Sequence, residues 1–210
     1  MEYHAMNAAT ASLRQPAEAR QAEMVQAVLA LAAQQEPASI TTTDIAKAIG
    51  LSQGAVFRHF PSKQAIWLNV AQWLEATLLP LIQTAATSSP DPLESLGNIF
   101  RAHLQFVQEN PGVPRFIFHE LQQPADSPVK QQVAGMLQGY SGILIRVLQQ
   151  AKAQGQVLPE LDERSAATLF IGSIQGLVMQ SMLAGFPALQ PLIAGVLALY
   201  LRAICKDMSE

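Results

Sequence analysis

From Ala19 to Gln34 the apolar residues Met24, Val25, Val28, Leu29 and Ala32 recur every three or four positions, the spacing that turns one face of an α-helix into a core. "EPAS" (36–39) ends that run, because proline cannot continue a hydrogen-bonded turn and disfavours helical geometry in the residue before it. "TTTDIAKAIG" (41–50) predicts a two-turn helix capped by Thr42 or Thr43, with Asp44 in its favourable first turn and Gly50 as its left-handed stop. Leu51 and Ser52 form a turn, Ser52 can cap a helix over Gln53–Phe60, and Pro61 follows it. Ser62 then caps a longer helix in which Ile66, Val70, Trp73, Leu74 and Leu78 keep helical spacing, with a kink expected at Pro80. "TSSPDP" is loop chemistry, and further helices are expected over about 91–109, 112–122, 128–154, 163–185 and 188–206. No segment alternates as a strand would, so the fold class is all-α.

The two short helices suggest a helix-turn-helix, in which the second helix lies in the DNA major groove with its exposed face toward the bases. Ile45, Ile49, Leu51, Val56 and Phe60 can form the small core that fixes the angle, which leaves Gln53, Gly54, Ala55, Phe57, Arg58 and His59 outside. Arg58 can grip a guanine or a phosphate, Gln53 can pair with adenine, and Ala55 can touch a thymine methyl. Thr42 and Thr43 offer donors to a phosphate, and Lys63 is placed to clamp another. Two of the set carry a second reading: Phe57 as a packing residue, and His59 as a cation that satisfies the carbonyls ending its own helix.

A net charge of -3 over 210 residues argues weakly against a polyanionic partner. Locally the balance reverses, since Asp44 faces Lys47, Arg58, Lys63 and the conditional cation His59. Half the residues are apolar and 14% are charged, which excludes the disordered class. Cys205 is the only cysteine, and "MEYHAMNAATASLRQ" has no basic start followed by an apolar run, so a cytoplasmic protein with a loose arm over 1–18 is expected. The uncharged stretch 166–186 approaches membrane-spanning length, but Ser173, Gln175, Gln180 and Ser181 recur through it and an acidic "PELDER" precedes it. A buried helix is the expectation there, and no membrane partner.

The order "TTTDIAKAIGLSQGAVFRHFPSKQAI" resembles the helix-turn-helix of the TetR family of bacterial transcriptional regulators, whose pattern runs threonine, Ile-Ala, Gly-Val/Leu-Ser, Gly, an aromatic, Phe and Ser-Lys. The resemblance covers about residues 19–68. It implies an all-α dimer with an N-terminal three-helix DNA-binding domain (19–64) and a C-terminal helical bundle (65–210) for ligand binding and dimerisation. Carried over position by position, the family's DNA contacts fall on Thr43, Gln53, Gly54, Ala55, Phe57, Arg58, His59 and Lys63. The chain departs from the pattern where Ala55 replaces a frequent Thr or Ser, where Phe57 replaces a frequent Tyr, and where "QQEPASITT" lacks the usual glycine.

In the larger half, candidates for the wall of a mostly apolar pocket are Trp73, Phe100, His103, Phe106, Phe116, His119, Met136, Tyr140, Phe170, Ile174 and Met179. Each of them can equally belong to a plain core. No carboxylate or cysteine stands at ligand spacing from His103 or His119, so neither a metal nor another cofactor is expected. There is no nucleophile elbow, phosphate loop or paired carboxylate, and no enzymatic activity is expected either. On the last two helices, Gly172, Ser173 and Gly176 permit close approach, and Leu177, Leu192, Val196, Leu199, Tyr200 and Ile204 supply apolar area for a dimer. The resemblance implies a four-helix bundle between protomers.

The expected function is therefore a ligand-responsive, sequence-specific regulator of transcription, a repressor released from a palindromic double-stranded DNA operator by a small apolar effector. A helical module for small molecules or protein contacts, with weak or vestigial DNA binding, is the alternative.

Overall fold

The computed structural model describes residues 17–206, and among these it is built of α-helices with two short 3-10 turns. The expected N-terminal arm lies outside the described residues apart from Ala17 and Glu18, where the first helix begins. The helices are α1 (Ala17–Gln34), α2 (Thr42–Ala48), α3 (Gln53–His59), α4 (Lys63–Ala86), α5 (Pro92–Glu109), α6 (Gly112–Leu121), α7 (Pro128–Ala153), α8 (Glu163–Ala184) and α9 (Gln190–Ile204). The 3-10 turns occupy Pro37–Ser39 and Phe186–Leu189.

Local polar bonds set the ends of the short helices. Thr41, not Thr42 or Thr43, caps α2: its Oγ1 accepts from the Asp44 amide at 3.1 Å while the Asp44 carboxylate accepts from the Thr41 amide at 2.9 Å. That reciprocal box needs a carboxylate three residues after the cap, and only Thr41 stands at that distance from Asp44. Gly50 follows α2 at φ +67°, a left-handed conformation that a side chain disfavours. Ser52 accepts from the Ala55 amide at 3.2 Å to start α3, and Ser62 accepts from the Ala65 amide at 3.1 Å to start α4. Phe60 ends α3 in extended backbone, with its buried ring turned into the core.

Met24, Val25, Val28 and Ala32 of α1 pack with Ile45, Val56 and Phe60 in the smaller half. In the larger half α4 lies against α5 and α7, and α8 against α5, α7 and α9. A T-shaped aromatic chain runs through that core, from Phe100 to Phe170 at 5.5 Å and on to Tyr200 at 5.2 Å. Behind α9 the chain is pinned to the α7–α8 connection by a bridge between Val157 and Cys205. By length and composition α4 and α8 could each cross a membrane. Here α8 buries Ala166, Ala167, Phe170, Ile174, Leu177 and Val178, and it leaves its opposite face uncovered in the protomer.

Two features join the halves. The first is α4, which starts immediately after the short helices and continues unbroken through Pro80 into the larger half. The second is the packing of α1 on α6. At Gly112 the approach is so close that a Cβ would lie 1.9 Å from the Leu29 carbonyl oxygen, so only glycine fits without backbone movement. Trp67 of α4 meets Phe116 of α6 nearby, with ring centroids 6.3 Å apart.

Candidate functional site

The short helix α3 buries Val56 and presents Gln53, Gly54, Phe57 and Arg58 to solvent, with Ala55 and His59 half-buried. Phe57 is 43% exposed, a large ring held outward rather than packed away. Arg58 has no ion-pair partner among the described residues. Thr43 is exposed, while Thr42 is half-buried and its Oγ1 accepts from Gln53 Nε2 at 2.9 Å. That bond ties the first residue of α3 to α2 and leaves the Gln53 amide oxygen free to accept.

Lys63 stands in a different environment. Its Nζ donates to the Ala38 carbonyl at 3.0 Å and sits 4.7 Å from the centroid of the Trp67 ring. Burial lowers its pKa, opposed by the charges of Glu120 and Asp44. Glu120, buried on α6, has its own pKa raised, chiefly by desolvation and against the pull of Lys63. His119 lines the same depression, with Nε2 3.8 Å from the Glu120 carboxylate. Lys63 is thus engaged by the protein, and a phosphate would have to draw it away.

Inside the larger half five helices leave a cavity of about 60 Å³. Leu74 and Leu78 come from α4, His103 and Phe106 from α5, Pro114 and Ile117 from α6, Met136 and Tyr140 from α7, and Ile174 and Gln175 from α8. No Lys, Arg, Asp or Glu is among its lining residues. His103 Nδ1 and the Tyr140 hydroxyl are 3.1 Å apart, so half-buried His103 and buried Tyr140 share a hydrogen bond in a wall that is otherwise almost wholly apolar. Burial drives the His103 pKa down to about 4 and raises that of Tyr140, so both are neutral at physiological pH.

Five of the pocket candidates, His103, Phe106, Met136, Tyr140 and Ile174, meet at this cavity. Trp73 stacks on Phe106 from outside the lining, with centroids 6.4 Å apart. Phe100, Phe116 and Phe170 are fully buried in aromatic contacts of the core. His119 lines the separate depression beside Lys63, and Met179 is 53% exposed. Sequence reasoning passed over Gln175 as a wall residue, although a glutamine recurring inside an uncharged helix is a visible signal for one.

The faces of α8 and α9 that the protomer leaves uncovered carry Leu169, Gly172, Gly176, Met179 and Leu183 on α8 and Leu192 and Leu199 on α9. A Cβ at Gly172 or Gly176 would meet nothing within 4 Å, so contacts inside the protomer do not require their small size. Ser173 and Val196 are half-buried. Leu177, Tyr200 and Ile204 point into the protomer's own core, where the Tyr200 hydroxyl donates to the Ala166 carbonyl at 3.1 Å.

A family model described as bacterial regulatory proteins, tetR family, matches residues 25–70, the segment that contains α2 and α3. A second, described as a tetracyclin repressor-like C-terminal domain, matches residues 119–191. Among curated relatives, the nucleoid occlusion factor SlmA of Vibrio campbellii (strain ATCC BAA-1116) is 27% identical over 159 residues, covering 75% of this chain and 81% of the relative. The ketosteroid transcriptional regulator KstR2 of Mycobacterium tuberculosis superposes with a TM-score of 0.75 at 22% identity, over 90% of this chain and 96% of that one. The transcriptional regulator FadR of Bacillus subtilis, solved with stearoyl-CoA, superposes with a TM-score of 0.73 at 19% identity, over 86% and 97%. The two family matches together take in more than half of the chain and include the exposed helix and much of the helical half behind it, so the chain belongs to the TetR family of bacterial regulatory proteins and is a ligand-responsive, DNA-binding regulator of transcription.

Proposed function

We propose that this regulator is a cytoplasmic homodimeric repressor that binds a palindromic operator through α3 and is released when a small, mainly apolar effector occupies the cavity. The observation that carries this reading is the shared cavity wall. Leu74 and Leu78 belong to α4, whose first turn holds Lys63 beside the recognition helix, and Pro114 and Ile117 belong to α6, whose first residue is wedged against α1. Through these two helices any growth of the cavity reaches the DNA-binding half. A dimer must hold its two recognition helices about one DNA turn apart, roughly 34–36 Å, so the effector acts by favouring a state with the wrong spacing. FadR of Bacillus subtilis was solved with stearoyl-CoA, but this cavity offers no cation to meet the phosphates of such a ligand.

The contacts proposed for DNA are Thr43, Gln53, Gly54, Ala55, Phe57, Arg58 and His59, with Thr42 positioning Gln53 and with Lys63 recruited to a phosphate from its place over Trp67. The proposed dimer surface is the uncovered face of α8 and α9, centred on Gly172, Gly176, Leu192 and Leu199. The test is selection of genomic fragments by the purified protein. Enrichment of a palindrome, lost with Arg58→Ala, is the expected result; no enrichment at low salt would overturn the reading.

A second reading, a helical module with weak DNA binding that works through other contacts, draws on the absence of hydroxyls at Ala55 and Phe57 and on the internal engagement of Lys63. Affinity that falls steeply with salt favours the repressor, because each neutralised phosphate releases counterions.

A further inference from the structure

The cavity specifies more about its occupant than that it is apolar. A dry cavity of about 150 Å³ is what benzene fills, so a space of about 60 Å³ must expand to take any organic ligand. Its polar side chains are His103 and Tyr140, bonded to each other, and Gln175 of α8, whose neutral carboxamide can donate or accept. Neutral imidazole carries one N–H and the phenol one O–H, two donor protons in all. The bond between Nδ1 and the hydroxyl uses one of them whichever tautomer is present. In one arrangement the proton left over is on His103 Nε2, in the other on the Tyr140 oxygen, so the pair always retains a single donor. It holds no second proton, and no charged side chain lines the wall to supply a field.

A carboxylate seated on the pair would lose its hydration and gain one hydrogen bond from it; the Gln175 amide is a further neutral donor, and none of the three side chains supplies a counter-ion. An imidazolium could supply that counter-ion, but burial holds His103 neutral down to about pH 4. An ammonium group meets the same desolvation cost and finds no carboxylate. A ketone, ether, ester or alcohol oxygen, by contrast, needs only one donor and brings little desolvation penalty with it.

From this arrangement we infer that the effector is an uncharged, largely hydrocarbon molecule with one acceptor oxygen, seated on the His103–Tyr140 pair, and that the carboxylate of the same skeleton is rejected. This inference rests on the reading of the cavity as the effector site. It goes further by naming the ligand's charge and its anchoring group.

The test uses the full chain and two matched sets of probes at pH 7.5: octane, 2-octanone and octanoate, and toluene, acetophenone and benzoate. Binding is followed by titration calorimetry and by thermal shift. The expected order within a set is ketone first, the hydrocarbon about five- to tenfold weaker for lack of the hydrogen bond, and the carboxylate weaker by about a hundredfold or more. Each single variant, His103→Leu or Tyr140→Phe, leaves one donor behind, so the double variant is the one expected to erase the ketone's advantage over the hydrocarbon. A carboxylate that binds as well as its ketone overturns the inference, and so does failure of both ketones to bind. Survival of the ketone's advantage in the folded double variant overturns the anchoring pair. The wild-type ranking needs no variant and stands whether or not the double variant folds. Operator retention measured on the same samples separates the two levels: ketone binding without release of DNA overturns the effector reading and leaves the ligand class intact.

Discussion

The recognition helix and the cavity are held in place by different kinds of force. The starts of α2, α3 and α4 and the contact between α2 and α3 are each fixed by a named polar bond: Thr41 with Asp44, Ser52 with Ala55, Ser62 with Ala65, and Gln53 with Thr42. The groups proposed to meet DNA, such as Phe57 and Arg58, are exposed and carry little of the packing. Around the cavity apolar packing holds the helices, and the few side-chain bonds between them include His103 with Tyr140 and Gln132 with Glu75. The polar pair in the cavity wall joins half-buried His103 to buried Tyr140. Function and stability can therefore be separated by mutation in the first region, whereas in the second they move together.

The largest expected effect lies where the two regions touch. Gly112→Ala puts a methyl group 1.9 Å from the Leu29 carbonyl oxygen, a contact that only backbone movement relieves, and it should destabilise the protein by about 3 kcal/mol or more. Gly135→Ala, on the exposed side of α7, is the control, since its added carbon meets nothing within 4 Å and helix propensity favours it by up to about 1 kcal/mol. Urea unfolding of both variants makes the comparison; equal stabilities would mean that α1 and α6 are not wedged together. Operator affinity should fall with Gly112→Ala and hold with Gly135→Ala.

The next effect belongs to the cavity alone. The His103 pKa lies at about 4 in the fold and near 6.5 in the unfolded chain, so the unfolded state takes up a proton first as pH falls. The stability contribution is complete above about pH 6.5 and is lost progressively down to about pH 4, where the folded state is protonated too. The loss amounts to at most about 3 kcal/mol. Glu120, whose pKa is raised by burial, acts in the opposite direction, so the diagnostic quantity is the difference between wild type and His103→Gln across that window. Parallel stability curves for the two proteins would show that His103 is not buried neutral.

These two predictions also mark what the sequence could disclose. The turn at Gly50 and the caps at Ser52 and Ser62 are local chemistry, written within a few residues, and the structure shows each of them. The cap of α2 is Thr41 rather than the expected Thr42 or Thr43, although its signal, Thr41 three positions before Asp44, stands in the chain. The cavity could not be located by the same means. Phe100 and Phe106 sit on one helix with the same chemistry, and only the packing of four other helices decides that the second lines a space and the first fills one. The contact of Gly112 with Leu29 and the seat of Lys63 on Ala38 and Trp67 join distant parts of the chain, and no periodicity reports such pairings.

On the recognition surface Arg58→Ala should cost about 2 kcal/mol of operator binding, or roughly thirtyfold, without a measurable change in unfolding midpoint, because the side chain is exposed and has no ion-pair partner among the described residues. Competition binding against the selected operator, alongside thermal unfolding, reads both. A matching loss of stability would move Arg58 from the interface to the fold and erase the contrast with the cavity.

Ser52→Ala gives the smallest effect and divides the region most finely. The serine hydroxyl accepts from the Ala55 amide and makes no other hydrogen bond among the described residues, so its loss removes a cap worth about 1 kcal/mol from a helix of only seven residues. So short a helix has little stability of its own, and its anchor at the far end is the buried ring of Phe60. The first turn, with Gln53 and Gly54, should therefore fray while Val56 and Phe60 stay packed. Amide exchange should quicken at the start of α3 and remain unchanged in α5 and α7, and operator affinity should drop about fivefold through disorder of Gln53 rather than loss of any contact made by Ser52. Faster exchange throughout the larger half would mean that the recognition helix is not an independent unit, and that the polar bonds around it stabilise the whole molecule.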